Sequence, residues 1–128
     1  MAEMSNYLEN ALINVTLRAT SYTAPTTVYL ALYTTDPTDA DTGTECSGTN
    51  YVRQAVTFGA PSNGVSTNSA VIDFPQAGSA WGTITHIGIR DALTVGNLLY
   101  HTPLDTSKTI ANGDVFRIAS AALSVTLA

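Results

Sequence analysis

The chain has 128 residues, 45% of them hydrophobic and 12% charged, with a net charge of -5 and a mean hydropathy of +0.12. That length and apolar content suit one domain with a buried core. A lone lysine, Lys108, and four scattered arginines (Arg18, Arg53, Arg90, Arg117) exclude a phosphate-neutralising nucleic-acid surface.

The single cysteine, Cys46, excludes an internal disulfide and a cysteine-built zinc site. No apolar run reaches the roughly 20 residues of a membrane helix, so no membrane partner is expected. Met1 to Met4 has neither the basic start nor the apolar run of a signal peptide. Heavy use of Thr, Ser and Ala points to a β-rich, low-charge fold.

Met4, Leu8, Leu12 and Val15, with Ala11 and Ala19, form an apolar stripe at helical spacing. Ser5 suits the N-cap, Glu9 and Arg18 suit the two ends of the dipole, and Pro25 lies beyond the stop. The expected helix runs over about 4–18, within an N-terminal arm of 1–20. Beyond it, 25–128 forms the β-sandwich of a single domain spanning 1–128.

Thr27 to Thr34 is apolar on both faces and reads as a central strand, covered on one side by the helix. Residues 36–50 form a loop with four of the ten acids: Asp36, Asp39, Asp41 and Glu45. In Tyr51 to Phe58 the alternation puts Val52, Val56 and Phe58 inside and Arg53 and Thr57 outside. Ala70, Ile72 and Phe74 alternate before Pro75.

Thr85, Ile87 and Ile89 share a face in the next strand. Ile84 is out of phase with them, which predicts a bulge. Short strands follow at 98–102, 115–119 and 123–127, with brief edge pairing at Thr109 and Ile110. One N-terminal helix and seven or eight short strands, separated by turn signals, describe a mainly β, jelly-roll-like antiparallel sandwich.

No catalytic set emerges. His86 and His101 lie in strands, no G-x-S-x-G elbow exists, and Asp73 and Asp91 sit at strand ends where Asp commonly caps turns. The loop acids offer oxygens of the kind calcium takes, but without the order of an EF-hand. They read as a solvated acidic loop, and no metal or cofactor is expected. Negative neighbours disfavour a reactive Cys46 thiolate. The chain is read as a non-enzymatic protein that buries surface against partners.

Six segments then resemble small structural proteins of tailed bacteriophages: 5–12, 25–38, 51–54, 81–89, 96–100 and 112–114. The resemblance spans most of the chain, in order. Such proteins are often labelled tail-fibre proteins, and some resemble jelly-roll cement, or decoration, proteins of phage heads. It implies a virion protein made in the bacterial host cytoplasm. It further implies a homodimer or homotrimer that binds the major capsid protein on the outer surface of the head and clamps the expanded shell.

A fibrous shaft with repeats is missing, which favours the cement reading over the alternative, a tail-fibre or baseplate component touching the host surface. Contact candidates are Tyr7, Leu8 and Leu12 of the helix, and Asp36, Asp39 and Tyr51 of the loop. Under the alternative, Tyr51, Trp81 and Tyr100 are candidates for stacking on sugars.

Overall fold

The computed structural model describes residues 2–127. In chain order the elements are β1 (Glu3–Met4), α1 (Asn6–Leu17), β2 (Val28–Tyr33), β3 (Gln54–Val56) and β4 (Val65–Thr67). They continue with β5 (Ile72–Asp73), β6 (Gly82–Arg90), β7 (Leu98–Ile110), β8 (Arg117–Ile118) and β9 (Ser124–Thr126). The main sheet has five strands in the order β1-β7-β6-β2-β3; β4 pairs with β9 and β5 with β8, and all pairings are antiparallel. This is the mainly β sandwich with one N-terminal helix that the residue pattern implies.

The helix starts where capping chemistry requires. The Ser5 hydroxyl accepts from the Leu8 amide at 3.2 Å and donates to the Leu98 carbonyl, and the Ser5 amide bonds the Leu99 carbonyl at 2.9 Å. One buried residue therefore caps α1 and pins it to β7. Leu8 is the buried residue of the helix, and α1 packs on β7 and β1, not on β2. The expected cover over β2 comes instead from the acidic loop.

Between the layers lies one apolar core. Leu30, Leu32, Ile84, Ile87 and Ile89 of the main sheet meet Ile72, Phe74, Phe116, Leu123 and Val125. Tyr51, Phe74, Trp81 and Phe116 form an aromatic cluster within it. Tyr51 and Phe74 stack with centroids 6.1 Å apart, and Trp81 meets Tyr51 edge-on at 5.5 Å.

The bulge predicted at Ile84 is present. Ile84 pairs with Lys108 but His86 pairs with Pro103, so Leu104–Ser107 bows out opposite Thr85 alone. That shift turns Ile84 and Ile87 onto the same face. It also explains why 98–102 and 109–110 belong to one strand, β7, rather than two. Pro103, which has no N–H, sits where the regular ladder breaks.

The phase expected for 51–58 is inverted at its start. Val52 is 41% exposed and Arg53 only 8%. A guanidinium goes inside when each of its nitrogens has a partner, and Arg53 meets that condition. Regular pairing in this stretch is confined to β3, where Val56 is buried.

Trp81 Nε1 donates to the Thr49 carbonyl at 2.9 Å, and Gly48 packs against the indole. A Cβ at Gly48 would come within 2.2 Å of the Trp81 ring. Gly48→Ala is therefore expected to destabilise the fold by about 1–3 kcal/mol through overpacking, seen as a lower midpoint in chemical denaturation with an unchanged slope.

Candidate interaction surface

The second face of the main sheet follows from the cross-strand pairs. Tyr33 faces His86, Ala31 faces Gly88, Gly88 faces His101, and Tyr29 faces Arg90. A polar set thus sits on a sheet whose other side is the core. The loop from Asp36 to Glu45 folds over this face and turns its acids towards it.

Arg90 is the first anchor. Its Nη1 donates to Asp41 Oδ1 at 2.8 Å and to the Tyr33 hydroxyl at 2.8 Å; its Nη2 donates to Asp41 Oδ2 and to the Gly96 carbonyl, each at 2.9 Å. Arg53 is the second. Its Nε and Nη2 hold the two Glu45 oxygens at 2.8 Å, and its Nη1 reaches the Ala92 and Val95 carbonyls at 2.8 and 2.9 Å. Both guanidiniums are bidentate to an acid of the loop and reach into the same turn, 91–97.

Burial would raise the Glu45 carboxyl. Hydrogen bonds from Arg53 and Tyr51, with the positive charge of Arg53 and Arg90, outweigh it and hold the group below the usual glutamate range. Burial likewise pushes up the Tyr51 phenol, and its donation to Glu45 at 2.6 Å adds to the shift.

Asp36 and Asp39 meet histidines instead. Asp39 Oδ1 is 2.7 Å from His101 Nε2, and Asp36 Oδ1 lies 3.8 Å from His86 Nε2 and 3.9 Å from His101 Nδ1. Across β7, Glu3 Oε2 is 3.9 Å from His101 Nε2. The four loop acids therefore do not converge on one point. Two pair with arginines, and two line a histidine cluster that Glu3 joins. The chain pattern hid Glu3, because only the β1–β7 register, Glu3 opposite His101, brings it there.

The remaining sequence candidates divide by burial. Trp81 and Leu8 are buried. Tyr51 is half-buried in the aromatic cluster, with its hydroxyl held by the Leu32 amide and Glu45. Tyr100 is half-buried and packs against the core. The indole of Trp81 thus stands on core neighbours and offers no open face to a ligand. Leu12 is half-buried and Tyr7 is exposed. Past its first turns α1 leaves the body: Ile13 is 53% exposed and Leu17 78%. They lie four residues apart, on one side of the helix.

Between the bowed half of β7 and segment 114–124 runs an open groove of about 760 Å³. Its apolar lining includes Ile87, Ile110, Phe116 and Leu123, and its charged lining includes Asp105, Lys108, Asp114 and Arg117. Asp73 is ion-paired with Arg117, and Asp91 accepts from the Asn97 amide and side chain. Cys46 is buried, and that burial raises its thiol, with Glu45 adding to the effect. Among the described residues no helix is long and apolar enough to cross a membrane.

Over residues 3–126 the chain matches the family described as podophage GP4 fiber I protein gp80. The match covers nearly the whole chain, and the chain belongs to that family, a family of phage structural proteins. No curated protein matches the chain.

Removing the Glu45 charge tests the arginine anchors. Glu45→Gln leaves the Arg53 guanidinium buried without its carboxylate and is expected to cost about 3 kcal/mol. Because the folded Glu45 pKa lies below the unfolded value, its contribution is fully present above about pH 4.5 and is lost as pH falls through the folded value. Denaturation midpoints measured from pH 7 down to pH 3 should therefore fall less steeply below pH 4.5 in the variant than in the parent.

Proposed function

We propose, from membership of this family, that the chain is a non-enzymatic structural component of a phage tail fibre. The observation that carries the reading is the family match from residue 3 to 126, whose description names a fibre protein. The head-cement reading draws no such support. It would place the same sandwich on the major capsid protein, as the sequence resemblance suggests. A structural role is also supported by the acids: Asp41, Glu45 and Asp73 are each committed to an arginine, and Asp91 to its own turn.

Within the virion we propose a further copy of this chain as the partner, with α1 as the seam. Ile13 and Leu17 are exposed on one side of a helix whose attachment to the body lies in its first turns. Apolar residues at that spacing suit packing against a second helix of the same kind.

The copy number per virion, measured by quantitative mass spectrometry against the major capsid protein, tests the location. A ratio of a few per cent is expected for a fibre. A ratio near one would overturn the fibre reading and restore the head-cement one. The paired substitution Ile13→Glu and Leu17→Glu should leave the thermal midpoint of the protein within a few degrees, because both side chains are exposed. The same variant should shift light-scattering mass from an oligomer to the monomer. An unchanged mass would remove α1 as the seam.

A further inference from the structure

We propose that Glu3, Asp39 and His101 form a binding site for a divalent transition-metal ion, with zinc the best match. The site is independent of the fibre reading. Its three ligand atoms lie within 4.8 Å of one another, although they come from β1, the acidic loop and β7. His101 Nε2 is the meeting point, 2.7 Å from Asp39 Oδ1 and 3.9 Å from Glu3 Oε2.

Donor accounting points to a cation. One imidazole nitrogen carries at most one proton, and two carboxylates converge on it. A third carboxylate, Asp36, faces the other ring nitrogen. Among the described residues, the ion-pair partners of Glu3, Asp36 and Asp39 are the two histidines. The arginines that neutralise acids elsewhere are committed to Glu45, Asp41 and Asp73. Among the described residues the cluster therefore keeps negative charge around a ring nitrogen whose side chain is only 3% exposed. A divalent ion offsets that charge and takes both carboxylates at once.

The geometry can close on an ion with small motions. Metal–nitrogen and metal–oxygen bonds of about 2.0–2.2 Å separate adjacent tetrahedral ligands by about 3.3–3.5 Å. Asp39 must move out slightly and Glu3 move in. Their side chains are 49% and 70% exposed, so both are free to do so. His101 is held rigidly by burial and by the β6–β7 ladder.

One imidazole and two carboxylates select a borderline ion such as zinc. Calcium seeks six to eight oxygens and would find too few here. Asp36 lies 3.9 Å from Nδ1, on the far side of the ring, and leaves Nε2 as the nitrogen that faces the two ligand carboxylates. Bound there, an ion would tie the N-terminal strand, the loop and β7 together.

The test uses the full chain, stripped with chelator and dialysed. Calorimetric titration with zinc chloride is expected to show one site, and stoichiometric zinc should raise the thermal midpoint by several degrees. Magnesium or calcium at the same concentration should not. Glu3→Gln is the deciding variant. Its side chain is exposed and beyond hydrogen-bond reach of His101, so the metal-free protein should fold with a midpoint at or above the parent's, one converging negative charge being removed. Its zinc affinity should fall tenfold or more. No zinc binding by the parent would overturn the site. Unchanged zinc affinity in Glu3→Gln would overturn it too, by placing any bound zinc elsewhere.

Discussion

Two buried guanidiniums govern this fold. Taking an arginine out of water carries a penalty of several kcal/mol unless its donors are met. Arg53 and Arg90 sit close enough to repel each other. Each is met by a carboxylate, Glu45 and Asp41, and both reach into one turn. Positive and negative groups alternate across a small volume. Removing any one of them leaves the others unbalanced. The loop must fold back over the sheet to deliver its acids, and the turn after β6 must direct its carbonyls inward.

That demand reaches into the backbone. Val95 adopts φ 56 and Asp41 φ 58. A β-branched residue in the left-handed region costs about 1–2 kcal/mol, and Val95 gains nothing by packing, since its side chain is exposed. Its carbonyl is the reason for the conformation: it accepts from Arg53 Nη1 at 2.9 Å and from Arg90 Nε at 3.3 Å. The turn is strained because the arginines need its oxygens. Gly96, also at positive φ, continues the bend at no steric cost and gives its own carbonyl to Arg90.

The parts of this structure written in local pattern were legible in the sequence. Helix α1 with its Ser5 cap, the doubly covered β2 and the bulge beside Ile84 each follow from periodicity or capping. The features that escaped depend on partners far along the chain. Arg53 reads as an outward residue until Glu45 and the 91–97 turn supply its acceptors. The acidic loop reads as solvated because its partners come from β6, β7 and Arg53, just before β3. Glu3 carries no local signal at all, since only a two-residue strand pairing places it beside His101. The run 98–110 looks broken at Pro103, but the break is a bow in the strand rather than its end.

The loop joins the sheet to the arm of the molecule. The first amide of α1, on Asn6, donates to the Asp39 carbonyl at 2.8 Å, while the Asp39 side chain bonds His101. Residue 39 is thus the hinge pin between the sheet and the helix that carries Ile13 and Leu17. One end of the loop is rigid because guanidiniums saturate Asp41 and Glu45. The other end rests on imidazoles that leave Asp36, Asp39 and Glu3 under-neutralised. The root of α1 is held from two sides, by Ser5 on β7 and by the Asp39 carbonyl on the Asn6 amide. The histidine cluster therefore lies at the base of the helix whose outer turns expose Ile13 and Leu17, joined to it through the one residue, Asp39, that bonds both.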